Sequence, residues 1–348
     1  KSLGSLESLE EILKKAKVDF IEFAEVEPNP SSKKVNEVKK SFQGEKIDFV
    51  IGLGGGSSLD FAKAMAIALT HKGDIWDYVY RTGYTPLEVN DKVLPVVSIV
   101  TTSGTGSEVT SYAVLTNPAT LEKSAIWSER IIPRVAIIDP ELTISLPPRL
   151  TASTGIDALS HALESYIHIN ANPYSELISL ESIKLISESL RIAVANGEDI
   201  EARSKMAWAA TLAGIGITYA GTTLVHGMGQ PMGGRFNVPH GESIALCLPI
   251  VMRNSWMVNI DKFAKISEAM GIKVEGISKR EAARMSMKAV ENLLEDIRLK
   301  PTLKEFGITE SDFEELANDA LGYFSFCTGA HPWKVDKSQI IRMYRELL

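Results

Sequence analysis

The chain has 348 residues, of which 45% are hydrophobic, and this length is enough for two domains with large buried cores. Its 37 basic and 44 acidic side chains give a formal net charge of −7, with both signs scattered along the chain. No basic stripe indicates a nucleic acid or a membrane as a partner, and no apolar run reaches the roughly 18 residues needed to span a bilayer. Two cysteines, Cys247 and Cys327, are too few for a disulfide framework, which favours a reducing compartment such as the cytoplasm.

The first 140 residues alternate strand-like and helix-like segments. Three apolar runs predict buried strands, namely IDFVIGLGGG, VLPVVSIV and VAIIDP, and the alternating run FIEFAEV predicts a strand nearer a sheet edge. Continuous apolar strands separated by helices such as FAKAMAIALT are typical of a mostly parallel, doubly wound sheet with helices on both faces. The sequence therefore predicts an α/β domain over residues 1–148.

The strand signal disappears after Leu146-Pro147-Pro148. Long amphipathic runs follow, most of them separated by Gly, Pro or Asn, which indicate helices at residues 176–195, 201–218, 243–258, 278–297 and 312–321. The sequence therefore predicts an all-helical domain over residues 149–348.

Two glycine- and hydroxyl-rich segments directly follow predicted strands. GLGGGSSLD opens a helix, where glycines let the backbone approach a pyrophosphate and the helix N-terminus offers unpaired N–H groups. Its spacing differs from the G-x-G-x-x-G fingerprint, so a tight connection is an equal alternative for this segment alone. TTSGTGSEVT offers hydroxyls for phosphate or ribose, and its alternative is a loop that caps the next element. Because nucleotides bind where such loops follow neighbouring strands of open α/β sheets, the pair predicts a dinucleotide site.

Asp157, His161, His226 and His240 are candidate metal ligands. Asp157 and His161 lie four residues apart in a segment with helical periodicity, so they share one helix face. His226 and His240 stand beside glycines, and the chain has only six histidines. One carboxylate oxygen and three imidazole nitrogens suit a four-coordinate divalent transition metal, although any one of these histidines alone is more often a core or surface residue.

The remaining histidines, one lysine and one cysteine carry weaker predictions. His71 and His168 are expected to face solvent, and His331 is expected in a surface turn, with the mouth of a pocket as the alternative. Lys123 is expected at the surface from its own context, with pairing to a cofactor phosphate as the alternative, and Cys247 is expected to pack in the core of an apolar helix.

A dinucleotide and a metal together predict a reaction class. A nicotinamide takes a hydride from an alcohol carbon while the hydroxyl loses its proton. The pKa of an alcohol lies about 9 units above that of an imidazolium, a gap of roughly 13 kcal/mol, so a histidine alone is a poor base for it. A divalent cation lowers the pKa of an oxygen bound to it. The sequence therefore predicts hydride transfer between alcohols and aldehydes or ketones, with the substrate oxygen on the metal.

Four segments in order resemble the iron-containing (group III) alcohol dehydrogenases: GGGSSLDFAKA, TTSGTGSEVT, GIDALSHALESY and TTLVHGMGQPMGGRFNVPHG. The resemblance runs from about Gly4 to the C-terminus. It implies a dehydroquinate synthase-like architecture, with an α/β cofactor domain, a helical domain, an active site in the cleft between them, and a homodimer. It also implies a small alcohol or aldehyde substrate and Fe²⁺, or Zn²⁺ in its place, bound by Asp157, His161, His226 and His240. The implied NAD(P) contacts are Gly54, Gly55, Gly56, Ser57 and Asp60 in the first loop, Thr101, Thr102, Thr105 and Ser107 in the second, and Lys123 and Leu142.

Two departures from the family pattern affect these expectations. Many members carry a histidine four residues after the third ligand, with a proton-relay or substrate-side role; here that position is Gln230, an amide that cannot act as an acid or base near pH 7. Members also begin with strands before this chain's first helix, and one of them carries the residue that separates NAD from NADP. Since this chain begins in what resembles the following loop, those strands are expected to be missing from it. Members most similar around GSLESL favour NADP over NAD.

A sugar-phosphate cyclase similar to dehydroquinate synthase is the alternative enzyme, because that family also uses NAD and a metal. Such an enzyme needs basic residues for the substrate phosphate, and Arg235 is the only arginine close to the four segments. A metal or nucleotide sensor without catalytic activity leaves the joint presence of both signatures unexplained.

Overall fold

The computed structural model describes residues 4–348, and all strands found in that range lie in the first part of the chain. The helices of this part are α1 (Ser5–Lys15), α2 (Ser32–Ser41) and α3 (Gly56–Ala68). The strands are β1 (Val50–Gly54), β2 (Val96–Val100), β3 (Tyr112–Asn117), β4 (Glu122–Trp127) and β5 (Val135–Ile138).

Three strands form a parallel sheet in the order β1-β2-β5. Gly54 pairs with Val100 at the end of β2, and Val100 pairs in turn with Ile138 at the end of β5. Because parallel strands run in the same direction, the segments that follow them emerge side by side at one edge of the sheet. Both glycine- and hydroxyl-rich loops therefore start at this edge, as does the short turn Pro140–Thr143 after β5.

The hairpin of β3 and β4 is an element that the sequence analysis did not predict. The two strands pair antiparallel from Tyr112 opposite Trp127 to Asn117 opposite Glu122. The four-residue connection ends at Leu121, which has a left-handed φ of 59°. The hairpin contacts α3 on one side and the helical part of the chain on the other, so it bridges the two halves of the fold.

The strand predicted in FIEFAEV is wrong, since residues 18–27 are assigned to neither helix nor strand. A strand needs a neighbour that shares its backbone hydrogen bonds, and within residues 4–348 no strand pairs with this segment. Phe23 stacks on Phe61 of α3 with ring centroids 5.3 Å apart. Val26 also packs against the hydrophobic core that contains Phe61. Phe20 and Ile21 are exposed, so the apolar alternation reflects one-sided packing without strand pairing.

From Pro148 onward the described chain contains helices and no strands, which confirms the predicted fold class. The helix Pro148–Ile167 is buried along most of its length and packs against the helices Pro173–Ala195, Ile200–Tyr219 and His240–Ser255, so it forms the centre of this part. The helices are α4 (Pro148–Ile167), α5 (Pro173–Ala195), α6 (Ile200–Tyr219), α7 (Leu224–Phe236), α8 (His240–Ser255), α9 (Ile260–Ala269), α10 (Lys279–Asp296), α11 (Phe313–Leu321), α12 (Ser325–Thr328) and α13 (Lys337–Arg345). No single described helix has the length and apolarity to cross a membrane; α6 and α7 meet that criterion only as a pair bent by 101°.

The two halves of the chain approach each other backbone to backbone. Gly106, with a φ of +63°, lies after β2 against Gly214 of α6, and a Cβ on Gly214 would come within 2.7 Å of the Gly106 Cα. On the other side, Gly234 of α7 packs on the β3–β4 connection, where its Cβ would lie 2.5 Å from the carbonyl oxygen of Leu121. Side chains are excluded at both places, which lets the strand-containing part and the helices pack closely against each other.

Three histidines that were expected at the surface are buried. His71, His168 and His331 are 8%, 6% and 2% exposed. His71 accepts a hydrogen bond from the backbone N–H of Asn90 at its Nε2, and such internal partners compensate the loss of water. Cys247 lies in the core of α8, as predicted.

Candidate active site

The structure brings Asp157, His161, His226 and His240 together. Asp157 Oδ1 lies 3.6 Å from Nε2 of His161, 3.6 Å from Nε2 of His226 and 3.2 Å from Nε2 of His240. One ligand atom from each of the four residues lies within 4.8 Å of all the others. The first three side chains are buried, and that of His240 is 24% exposed. Residues up to 83 positions apart (240 − 157) thus form one cluster.

Three helices supply these side chains. Asp157 and His161 are one turn apart on α4, as their spacing predicts, and His226 lies in the first turn of α7. His240 is the first residue of α8. The next residue is Gly241, whose Cβ would lie 2.3 Å from the backbone oxygen of Ser153 in α4. Only a glycine allows α8 to start this close to α4, which places His240 beside Asp157.

The cluster fits a divalent transition metal. Asp157 Oδ1 and His226 Nε2 are buried and have no hydrogen-bond partner, an arrangement that costs free energy unless the atoms bind something. Burial lowers the pKa of His161 to about 4 and also lowers that of His240, so both are neutral imidazoles. Burial raises the pKa of Asp157, but the adjacent histidines, with His161 foremost, outweigh it and hold this pKa well below its usual value. Burial lowers the pKa of His226, but Glu164 and Asp157 outweigh burial and raise this pKa to about 9, so a metal would displace a proton from this imidazole. Neutral imidazoles and an ionised carboxylate are the forms that ligate metals.

Glu164 is a residue of the site that the sequence analysis missed. It is 1% exposed and lies on the Asp157 and His161 face of α4. Its carboxylate accepts a hydrogen bond from His226 Nδ1. Burial raises the pKa of Glu164, but His226 and Thr223 outweigh burial and lower this pKa to about 2. The sequence did contain one signal for Glu164, namely an acidic residue within the apolar helical segment GIDALSHALESY. An acidic residue buried in such a helix needs a partner, although the sequence does not show which residue that partner is.

The two predicted cofactor loops touch each other. Gly54 has a left-handed φ of +140°, and α3 begins two residues later at Gly56 without a side-chain cap on its N–H groups. A Cβ on Gly55 would lie 3.0 Å from Thr102, and one on Gly56 would lie 2.5 Å from Thr105. The glycines therefore let the second loop close onto the N-terminus of α3, an arrangement suited to a phosphate group.

Asp60 and Ser107, both predicted as cofactor contacts, bind each other. Ser107 Oγ donates to Asp60 Oδ1 at 2.6 Å, and the N–H of Val114 in β3 donates to Asp60 Oδ2 at 3.0 Å. Burial raises the pKa of Asp60, and the charge of Lys63 opposes it. The fully buried Lys63 Nζ donates to the backbone oxygens of Thr110 at 2.9 Å and Tyr112 at 2.8 Å. This network fixes the second loop and the hairpin to α3.

Lys123 is buried, so the surface position expected from its own context is wrong. Burial lowers the pKa of its amine to about 8, against the charges of Asp60 and Asp157. Its Nζ donates to Asn29 Oδ1 at 2.9 Å, and Asn29 Nδ2 donates to Asn237 Oδ1 at 2.8 Å. Lys123 thus interacts electrostatically with both Asp60 in the α3 network and Asp157 in the four-residue cluster, as a residue between them would.

The other predicted positions lie at the sheet edge and on α7. Ser57 is in the first turn of α3, Thr101 directly follows β2, and both are half-buried. Leu142 is half-buried in the turn after β5, at the same edge of the sheet. Gln230 is one helical turn beyond His226 on α7 and is 7% exposed, and its Oε1 has no hydrogen-bond partner.

Family models match both parts of the chain. The model for "Iron-containing alcohol dehydrogenase" matches residues 1–140, and that for "Fe-containing alcohol dehydrogenase family, C-terminal" matches residues 151–348. Residues 141–150, between the two matched ranges, follow the last strand and include the start of α4.

Individual relatives agree with these matches. A 1,3-propanediol dehydrogenase of Citrobacter freundii is 39% identical over 338 residues, which cover 96% of this chain and 84% of that protein. A variant of an archaeal halo-thermophilic alcohol dehydrogenase from a Red Sea brine pool has a TM-score of 0.96 at 33% identity, covering 100% of this chain and 89% of its own. A sulfoacetaldehyde reductase from Bifidobacterium kashiwanohense in complex with NAD⁺ has a TM-score of 0.85 at 31% identity, covering 99% and 87%. These matches confirm the resemblance seen in the sequence, and the chain belongs to the iron-containing alcohol dehydrogenase family.

Proposed function

We propose that this chain is a metal-dependent alcohol dehydrogenase, or aldehyde reductase, that transfers a hydride between NAD(P) and a small alcohol or aldehyde. Membership of the iron-containing family supports the reaction class. The observation that carries the proposal is the buried cluster of one carboxylate and three imidazoles, whose ligand atoms lie within 4.8 Å of one another. The second of the two loops suited to a dinucleotide packs on α4 three residues before Asp157, where a Cβ on Gly104 would lie 2.7 Å from the Cβ of Thr154.

In this proposal Asp157, His161, His226 and His240 hold Fe²⁺, or Zn²⁺ in its place, since zinc binds nitrogen and oxygen ligands more tightly than iron does. The metal would supply a Lewis acid for the reacting oxygen of the substrate. The burial of the ligand residues excludes water and strengthens each charge interaction around that oxygen.

The cofactor-side residues have binding and positioning roles. The backbone at Gly54, Gly55 and Gly56 gives a phosphate close access to the N-terminus of α3. Lys123 supplies a positive charge close to Asp157, which suits a cofactor phosphate or ribose placed beside the metal. Gln230 offers a hydrogen bond on the substrate side but cannot transfer a proton near pH 7, so the proton leaves through water, a ribose hydroxyl or another group.

Several finer assignments belong to the same proposal. Residues 1–148 act as the cofactor domain and residues 149–348 as the metal domain. The family pattern around Gly4 supports NADP as the preferred cofactor. The sulfoacetaldehyde reductase, which has NAD⁺ bound, supports NAD as the alternative cofactor. The family pattern also supports a homodimer, and two free cysteines support a location in the reducing cytoplasm. Values of kcat/KM for NADPH and NADH decide the cofactor.

The cyclase alternative has little support in the structure. Arg235, the arginine nearest to the ligand segments, donates to Asp319 Oδ2 at 2.5 Å and to Glu315 Oε2 at 2.6 Å. Both carboxylates already occupy its guanidinium, which leaves it poorly placed to bind a substrate phosphate.

The test follows the absorbance at 340 nm while metal-loaded protein oxidises NADPH or NADH in the presence of a panel of short aldehydes. We expect turnover in the wild type and loss of both metal and activity in Asp157→Asn, with metal affinity at least about 100-fold weaker because a buried ligand charge is lost. Asp261→Asn, which changes an aspartate with a 70% exposed side chain, should match the wild type. No oxidation with any aldehyde by fully loaded wild type, or full metal occupancy in Asp157→Asn, would contradict the proposal.

A further inference from the structure

Glu164 uses both carboxylate oxygens to collect hydrogen-bond donors. Oε1 accepts from the Thr223 N–H at 2.8 Å, from Thr223 Oγ1 at 2.9 Å and from the Val225 N–H at 2.9 Å. Oε2 accepts from His226 Nδ1 and, at 3.2 Å, from Ser160 Oγ. A carboxylate on α4 therefore satisfies the first N–H groups of α7, which that helix leaves without a cap of its own.

This arrangement decides which nitrogen of His226 carries a proton. An ionised carboxylate only accepts hydrogen bonds, so Nδ1 of His226 must be the donor. A neutral imidazole with its proton on Nδ1 presents a lone pair at Nε2. Nε2 is the atom that lies 3.6 Å from Asp157 Oδ1 and has no hydrogen-bond partner.

We propose that Glu164 is a positioning residue that holds His226 in the Nδ1–H tautomer and aims its Nε2 at the metal position. The inference rests on the proposed function in one respect, namely that the four-residue cluster binds a metal. A further hydrogen bond holds the Thr223 hydroxyl that donates to the Glu164 carboxylate. The single hydroxyl proton of Thr223 goes to Glu164, so the buried His331 donates from its Nδ1 to Thr223 Oγ1 across 3.2 Å.

A single substitution separates this role from simple packing. Glu164→Gln keeps the shape but turns one oxygen into an NH₂ donor. If the remaining oxygen stays on Thr223 and Val225, the NH₂ faces Nδ1, and His226 must then carry its proton on Nε2, which blocks ligation. If the amide turns over, its NH₂ opposes the N–H groups of Thr223 and Val225 and leaves donors unpaired.

The experiment measures the affinity of the metal-free protein for Co²⁺ by competition with a chelator, together with the visible ligand-field spectrum of the Co²⁺ form. We expect Glu164→Gln to bind Co²⁺ roughly 10–100-fold more weakly than the wild type, with an altered spectrum. Glu108→Gln is the matched control, because Glu108 is 3% exposed, accepts from Thr211 Oγ1 at 3.0 Å and lies outside the ligand cluster. Its affinity should stay within about twofold of the wild type.

A Co²⁺ affinity of Glu164→Gln within twofold of the wild type would overturn the inference. A second measurement covers the case in which this variant does not fold. Histidine ¹⁵N NMR of the Zn²⁺-loaded wild type, with His226→Gln to assign the signal, should show a protonated Nδ1 and a metal-bound Nε2 on His226; an unprotonated Nδ1 would overturn the inference. Failure of the wild type to bind Co²⁺ would overturn the proposed function as well, whereas unchanged affinity in Glu164→Gln alone leaves that function standing.

Discussion

Gln230 is an uncharged amide one helical turn beyond a metal-ligand candidate, and its buried Oε1 lacks a partner. A substrate with a hydroxyl next to the reacting carbon can supply that partner, whereas a plain aldehyde cannot. We expect Gln230→Ala to lower kcat/KM for a hydroxyaldehyde relative to the plain aldehyde of equal length by a few-fold to about tenfold, the usual effect of one hydrogen bond. Steady-state kinetics with both substrates measure this ratio.

The pH dependence of Gln230→Ala provides the second half of that prediction. Because an amide does not titrate near pH 7, the pH–rate curve should keep its shape when the amide is removed. Gln43→Ala is the control for both measurements, because Gln43 is exposed and lies far from Gln230 in the sequence. A large shift of the pH–rate curve in Gln230→Ala would show that this residue takes part in proton transfer after all.

Single residues differ in how far their sequence context predicts them. Asp157 and His161 are predictable together because they share one helix turn and because histidine is rare in this chain. Glu164 and Lys123 are not, because their burial depends on partners 62 and 94 residues away, His226 and Asn29. A charged side chain looks exposed in sequence until the residue that compensates its burial is known.

At the scale of elements, the sequence predicted the three parallel strands and the long helices because each has one dominant period or an unbroken apolar run. The β3–β4 hairpin was missed, since its strands YAVLTN and EKSAIW have polar ends in place of an unbroken apolar run, and β3 follows a loop rich in hydroxyls. FIEFAEV was predicted as a strand because alternation reports a buried face and does not reveal whether a neighbouring strand is present. Pairing partners therefore limit strand prediction more than local pattern does.

The contact of Gly106 with Gly214 joins the second cofactor loop to α6 and gives a prediction for these elements. A Cβ on Gly214 would lie 2.7 Å from the Gly106 Cα and 2.8 Å from its oxygen, so Gly214→Ala must push the loop away from the helix. We expect the free energy of unfolding to fall by about 1–3 kcal/mol. We also expect the KM for the cofactor to rise above its wild-type value by a larger factor than the KM for the aldehyde. Denaturant unfolding and steady-state kinetics measure the two effects.

Gly307→Ala serves as the comparison for that variant. Gly307 has a φ of +70° with no atom within 4 Å of its would-be Cβ, so the substitution adds backbone strain without a clash. It should cost about 1–2 kcal/mol and leave the cofactor KM unchanged. If Gly214→Ala also left the cofactor KM unchanged, the loop would not depend on its contact with α6.

For the whole molecule, the ligand cluster connects α4, α7 and α8, so a bound metal should stabilise the helical part against unfolding. A ligand present at 100 times its Kd adds about 2.7 kcal/mol to the native state, which corresponds to a Tm higher by roughly 4 to 6 °C for a unit of 200 to 350 residues. Thermal unfolding of chelator-treated protein, with and without added Zn²⁺, measures this shift, and it should grow with the Zn²⁺ concentration. Asp157→Asn should show little of it, because the variant lacks the carboxylate ligand. Equal Tm values for the treated and reloaded wild type would mean that the cluster does not act as a link between these helices.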